Sequence, residues 1–326
     1  MTERFWESVT SCDLVLPYSE NYEKLPTILP RYVAAGISFV SLSLSGDRHG
    51  IGQTMRHLAM VRADILSEPS LYRLALSVND IRLAKVEGRL AIQFNFQGSN
   101  GLGGDPNMVE VYYALGVRHM LLAYNKRNAA ADGCLESSDA GLSQYGRKLV
   151  AEMNRVGMLV DATHTGYRSC RELFELSESP VIFSHSNAIA VHDHERNIPD
   201  DLIKACAASG GVIGVTGIGN FLSAAGTAEV SDMMAHIDYL ADLVGPEHIA
   251  IGIDNVFFEE EHYRNFARTP HRWTGRHALK PPPWHYFQPE QMPRLADALL
   301  DRGYGEETAR GILGENFLRV AGSVWK

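Results

Sequence analysis

Apolar residues in this chain gather in short continuous runs, separated by stretches with a helical period. The runs are "ISFVSLSL" (37–44), "LAIQFNFQ" (90–97), "RHMLLAY" (118–124), "MLVDATH" (158–164), "VIFSHS" (181–186), "GVIGVTG" (211–217) and "HIAIGID" (248–254). A weakly patterned first strand is expected to end near Asp13. Runs that stay apolar instead of alternating predict parallel strands covered on both faces. Between them, "MVEVYYALG", "YGRKLVAEMNRVG" and "DMMAHIDYLADLVG" carry a helical repeat, with glycine just past the apolar period as a stop signal.

Eight strand–helix units without an internal repeat or a linker predict an α/β chain folded as a single (β/α)₈ TIM barrel over residues 1–326. An open, doubly wound sheet is the alternative. Its glycine signature is missing, because "GSNGLGGD" and "GVTGIGNF" both fail the G-x-G-x-x-G spacing. One interval, 255–293, breaks the rhythm with a crowd of aromatics, arginines, histidines and prolines. A loop of that length in a compact domain predicts a lid-like functional segment. Its Trp273, Trp284, Tyr286 and Phe287 either line such a lid, where aromatic walls favour a cationic or methylated amine, or pack an interface or close the barrel. Helices are expected to follow over 294–322.

Charge narrows the function. The 30 basic residues are outnumbered by 39 acidic ones, a net charge of −9, which argues against nucleic acid as a partner. Four scattered cysteines without a Cys-x-x-Cys pair exclude a disulfide framework or a zinc knuckle. The opening "MTERFWESVT" lacks a signal-peptide pattern, and no segment reaches the roughly 20 apolar residues of a membrane span. A reduced, cytoplasmic protein with no membrane contact is the expectation.

Polar side chains capable of chemistry recur at the carboxyl ends of the apolar runs: Asp13, Gln97, Tyr124, His164, His185 and Asp254. In a barrel, that is the catalytic face. His185 alone is ambiguous, since Ser184 and Ser186 on either side of it would satisfy a core histidine. Paired with His164, 185 − 164 = 21 residues earlier, it becomes part of a constellation. Adjacent parallel strands lie about 4.8 Å apart, so two imidazoles can converge on one ion. Imidazole and carboxylate donors suit zinc or a similar divalent metal. A bound metal brings the pKa of coordinated water towards about 7, and Asp254 is placed to take its proton and pass it to a leaving amine.

These segments resemble the membrane (renal) dipeptidase family of the amidohydrolase superfamily. The resemblance is carried by "ALGVRHMLLAYNKRN", "YGRKLVAEMNRVGMLVDATHTG", "PVIFSHSNA", "RNIPDD", "GGVIGV", "IAIGID" and "GILGENFLRV", in the family's order over about residues 90 to 320. It implies a metal-dependent barrel hydrolase, usually with two zinc ions, that cleaves dipeptides; dimerisation to a homodimer is a family-level expectation. His164 and His185 match the family's ligands of the second metal. Asp254 matches the carboxylate near the bridging water, and Arg196 the arginine that grips the substrate carboxylate, a bidentate contact by chemistry.

Three departures stand against this. The family's His-x-Asp on the first strand aligns with Ser11-Cys12-Asp13, its bridging glutamate with Gln97, and a histidine that touches the substrate with Tyr124. Two dications about 3.5 Å apart repel by on the order of 20 kcal/mol at an effective dielectric of about 20, and a neutral amide does not offset that. The first metal is therefore expected to fail. The second position keeps two histidines and possible help from the Gln97 carbonyl oxygen; Cys12 offers a thiolate, but strand alternation turns it away.

Three readings follow. The first is a one-metal hydrolase of a C–N bond in a small carboxylate-bearing substrate, a dipeptide or N-acylated amino acid, with Asp254 moving the proton and Tyr124 donating to the oxyanion. The second is a catalytically inactive relative that binds a small ligand or a partner. The third is an altered reaction, such as a lyase, deaminase or esterase step.

Overall fold

The computed structural model describes residues 2–17, 25–268 and 283–326. Its strands are β1 (Cys12–Pro17), β2 (Phe39–Gly46), β3 (Tyr72–Leu74), β4 (Leu90–Gln97), β5 (Val117–Leu121), β6 (Leu159–Asp161), β7 (Val181–Ile182), β8 (Ile213–Val215) and β9 (Ile249–Ile251). All pairings between them are parallel, in the order β1-β2-β4-β5-β6-β7 with β8-β9 continuing the curve. A bridge between Phe183 and Ile213 joins β7 to β8, and Asp254 N donates to Val15 O at 3.2 Å to join the end of β9 to β1. Eight strands thus wrap into a TIM-type barrel. The short β3, which the apolar pattern does not announce, lies against the start of β4 and stands outside that circuit.

Helices fill the outside in alternation. The helix Gln144–Val156 starts where Ser143 Oγ accepts from Gly146 N and stops at Gly157, whose φ of 88° is the left-handed turn a glycine allows. The helix Val78–Val86 opens with a reciprocal capping box between Ser77 and Asp80. The core has two layers. One lies between strands and helices; the other is the barrel floor, where Cys12, Leu14, Phe39, Ala91, Leu159, Ile182 and Ala250 meet the C-terminal helix Asn316–Val324. Phe317 from that helix stacks on Phe39 with ring centroids 5.5 Å apart. The bottom is closed by side chains, so a site must open at the strand ends.

The first strand corrects an expectation. It runs to Pro17, so Asp13 is its second residue and not its end. Asp13 is fully buried because its carboxylate closes the seam of the barrel: Oδ1 accepts from Ile253 N at 2.8 Å and Val15 N at 3.2 Å, and Oδ2 accepts from Tyr32 OH at 2.9 Å. Cys12 belongs to the floor, with Sγ 3.9 Å from Thr10 O, and burial pushes its thiol well up. Neither reaches the strand-end mouth.

The 255–293 interval contains a helix, Glu259–Ala267. Trp273 lies outside the described residues. Phe287 is fully buried and joins the main core, while Trp284 and Tyr286 are half-buried with their rings 6.4 Å apart. Among the described residues, no helix is long and apolar enough to cross a membrane.

Candidate active site

His164 and His185 meet at the mouth. Their Nε2 atoms are 2.9 Å apart, and both side chains are buried. Tight backbone approach makes this possible. A Cβ on Gly214 or on Gly252 would come within 2.0 Å of the Ser184 carbonyl oxygen, so the glycines of "GVIGVTG" and "IAIGID" let β8 and β9 close against the strand that carries His185. The three non-glycine residues with left-handed backbone among those described are Asn125 (φ 61°), His164 (φ 64°) and Asp254 (φ 56°). All three lie here, at strand ends. Each side chain is aimed by a conformation that costs about 1–2 kcal/mol for most residue types.

The hydrogen bonds fix which ring nitrogen faces which neighbour. His164 Nδ1 lies 2.6 Å from Asn125 Oδ1, an acceptor, so that nitrogen carries the proton and Nε2 keeps its lone pair. His185 Nδ1 lies 2.7 Å from Ser184 Oγ, a hydroxyl able to donate or accept. Burial and the nearby Arg196 charge push His185 down to about 3, so it is neutral near physiological pH. Sequence reasoning names Ser184 as a partner for His185, and the structure pairs them. It misses Asn125, because nothing in "YNKRN" signals a turn that brings that residue onto His164.

The other expected residues arrive as follows. Asp254 Oδ2 stands 3.9 Å from His185 Nε2, and burial raises its carboxyl to about 7, offset in part by Arg196. Arg196 is almost fully buried; its Nη2 is 3.3 Å from His164 Nε2, its guanidinium lies 5.5 Å from the Phe221 ring centroid, and its Nε has no hydrogen-bond partner among the described residues. Tyr124 stacks on His164 with centroids 4.0 Å apart, and burial pushes its hydroxyl pKa upward, keeping the proton on. Gln97 ends β4 and donates from Nε2 to Ser43 Oγ at 3.1 Å. Asp13 stays at the seam. The mouth therefore brings together His164, His185, Asp254, Arg196 and Tyr124, and leaves Asp13 out.

Among the described residues, no group of three His, Cys, Asp or Glu side chains is arranged to hold a metal ion. The donors settle the fit position by position. At the first position, Pro17 ends β1 and Gln97 ends β4, and neither supplies a charge. At the second, two neutral imidazoles face one another, each oriented from its Nδ1 side, which is the usual support for a metal-bound histidine. Two nitrogens about 2.0 Å from a tetrahedral zinc stand about 3.3 Å apart, so the pair would open by only a few tenths of an ångström. The second position thus offers two oriented imidazole nitrogens, whereas Pro17 and Gln97 offer no anionic donor at the first.

A strand-end site of this kind on a TIM-type barrel defines a metallo-dependent hydrolase fold. A family model of membrane dipeptidases, peptidase family M19, matches residues 29–259, and the chain belongs to that family of metal-dependent dipeptidases. It is 30% identical over 280 residues to dipeptidase aclJ of Aspergillus oryzae, covering 84% of this chain but only 61% of that protein's length. An amidohydrolase structure from Pseudomonas aeruginosa superposes with a TM-score of 0.91 at 28% identity, covering 99% of each chain. The fold is also that of a metallo peptidase from Rhodobacter sphaeroides liganded with a phosphinate mimic of the dipeptide L-Ala-D-Ala, with a TM-score of 0.79, 18% identity and 97% of this chain covered, 99% of that one.

Proposed function

We propose that this chain hydrolyses a peptide or amide C–N bond in a small substrate bearing a carboxylate, using one divalent metal, zinc, held by His164 and His185. The observation that carries the reading is the pair of oriented, neutral imidazoles, with Arg196 and Asp254 converging on the same point. Family membership supports the reaction class, and the dipeptide mimic on the Rhodobacter sphaeroides protein supports the substrate class.

His164 and His185 would hold the zinc, which would supply Lewis acidity towards the scissile carbonyl and water. The remaining work belongs to the chain. Arg196 is a buried guanidinium with an unpartnered Nε, a costly arrangement that a substrate carboxylate relieves through paired charge-assisted hydrogen bonds. Asp254, poised near neutrality, takes the proton of the attacking water and returns it to the leaving nitrogen. Tyr124 keeps its proton and donates a hydrogen bond to the developing oxyanion. Gln97 offers its amide oxygen in place of an anionic donor.

Metal analysis and dipeptide assays test this together. About one zinc per chain is expected, with turnover that is lost in His185→Ala. Two tightly bound metals per chain would overturn the single-metal reading. That neither Pro17 nor Gln97 is a charged donor favours a second reading, a binding protein without turnover; it would show no metal and no hydrolysis, yet retain a carboxylate ligand that Arg196→Ala releases.

A further inference from the structure

Beneath the mouth, a second polar chain runs through the barrel interior. Ser41 Oγ accepts from Gln93 Nε2 at 2.5 Å and Asn95 Nδ2 at 2.7 Å, so its own hydrogen goes to His119 Nε2, 2.9 Å away. With Nε2 accepting that hydrogen, the other ring nitrogen of His119, Nδ1, faces Asp161 Oδ2 at 3.3 Å. These are the residue types of a hydrolytic triad. However, Ser41 is fully buried and its oxygen already receives two amide hydrogens, so it is no nucleophile. What the chain does is end on a carboxylate.

The other oxygen of that carboxylate is turned towards the site. Asp161 Oδ1 accepts from Thr163 N at 3.0 Å, Thr163 Oγ1 at 2.7 Å and Ser184 N at 3.1 Å. Thr163 immediately precedes His164, and Ser184 immediately precedes His185. A single oxygen thus clamps the backbone in front of both imidazoles. Ser184 carries the link further, since its Oγ is the partner of His185 Nδ1. Burial alone would push Asp161 up, but the facing His119 Nδ1–H and the hydrogen bond from Ser184 lower its carboxyl below the usual range.

We infer that Asp161 is a positioning residue and a fixed counter-charge for a dication held by His164 and His185. The inference rests on the one-metal reading above. Two neutral imidazoles and an amide give a dication no anionic ligand, and taking such a charge out of water is costly unless an opposite charge is near. Gln97 does not provide it where the family has a bridging glutamate. Asp161 provides it one layer deeper, through the hydrogen bonds that also set the ring directions.

The test is zinc affinity of the full-length chain, measured by competition with a chromophoric chelator, alongside ¹H–¹⁵N spectra of the imidazole nitrogens. Asp161→Asn keeps the shape and removes the charge. It is expected to weaken zinc binding about 10- to 100-fold in folded protein and to move the His185 ring signals. His119→Gln leaves the carboxylate in place and is expected to bind zinc at least as tightly as the wild type. Folded Asp161→Asn with wild-type affinity and unmoved His185 signals overturns the inference alone, as does a tenfold loss in His119→Gln. Failure of the wild-type chain to bind zinc overturns the one-metal reading together with the inference.

Discussion

At the ends of β1 and β4 the barrel mouth presents Pro17 and Gln97; past the ends of β6 and β7 it presents two imidazoles facing each other at 2.9 Å. Both halves belong to the same curved sheet. They differ in how each polar group is tied in. Among the described residues Gln97 makes one side-chain hydrogen bond, to Ser43, whereas His164 and His185 are each gripped from the Nδ1 side, on backbone held by one carboxylate oxygen. A donor held by a single contact can be exchanged for a neutral group at little structural cost. A donor embedded in a network cannot, because removing it strands several buried partners.

This contrast is open to direct attack. The largest effect is expected on the histidine side: Asp254→Asn removes the proton carrier and should lower kcat by about 10²–10⁴-fold, measured in dipeptide hydrolysis. Arg196→Ala comes next. Loss of a hydrogen-bonded charge is worth about 1.5–3 kcal/mol, so KM should rise about 10- to 150-fold with a smaller change in kcat. On the other half, Gln97→Glu restores an anion and should tighten zinc by about tenfold while the stoichiometry stays at one, because β1 still offers no donor. A second equivalent of zinc in that variant would erase the distinction between the halves.

The smallest effect separates Asp13 from the site. Its carboxyl is raised to about 7 by burial, with hydrogen bonds from Ile253, Val15 and Tyr32 offsetting part of the rise. Because the folded pKa exceeds the unfolded value of about 3.9, the stability this group adds is full below pH 4 and is lost as pH rises through about 7. Asp13→Asn should flatten that part of the pH dependence of Tm in the metal-free protein and leave zinc affinity unchanged. A drop in affinity would place Asp13 back among the metal donors.

Much of this was legible in the sequence, for definable reasons. Continuous apolar runs announced the parallel barrel strands, and the 21-residue spacing of His164 and His185 followed from strand ends placed side by side. The first strand was misread because "CDLVLP" holds its only charge near its start. There Asp13 accepts backbone and tyrosine hydrogens at a seam between the first and last strands, a contact 240 residues apart in sequence. Asn125 was invisible for a similar reason: its left-handed turn and its contact with His164 arise only once β5 and β6 pair. Asp161 lies inside the predicted strand "MLVDATH", three residues before His164, yet its service to both histidines depends on the β6–β7 pairing.

The left-handed backbone at Asn125, His164 and Asp254 also bears on how this chain would change under selection. Glycine relieves such a conformation without a steric cost, so a library screened for heat resistance alone should enrich glycine at positions 164 and 254 ahead of ordinary surface sites. The same library screened for turnover should refuse it. The gap between the two outcomes would measure, in units of melting temperature, what holding this geometry asks of the fold.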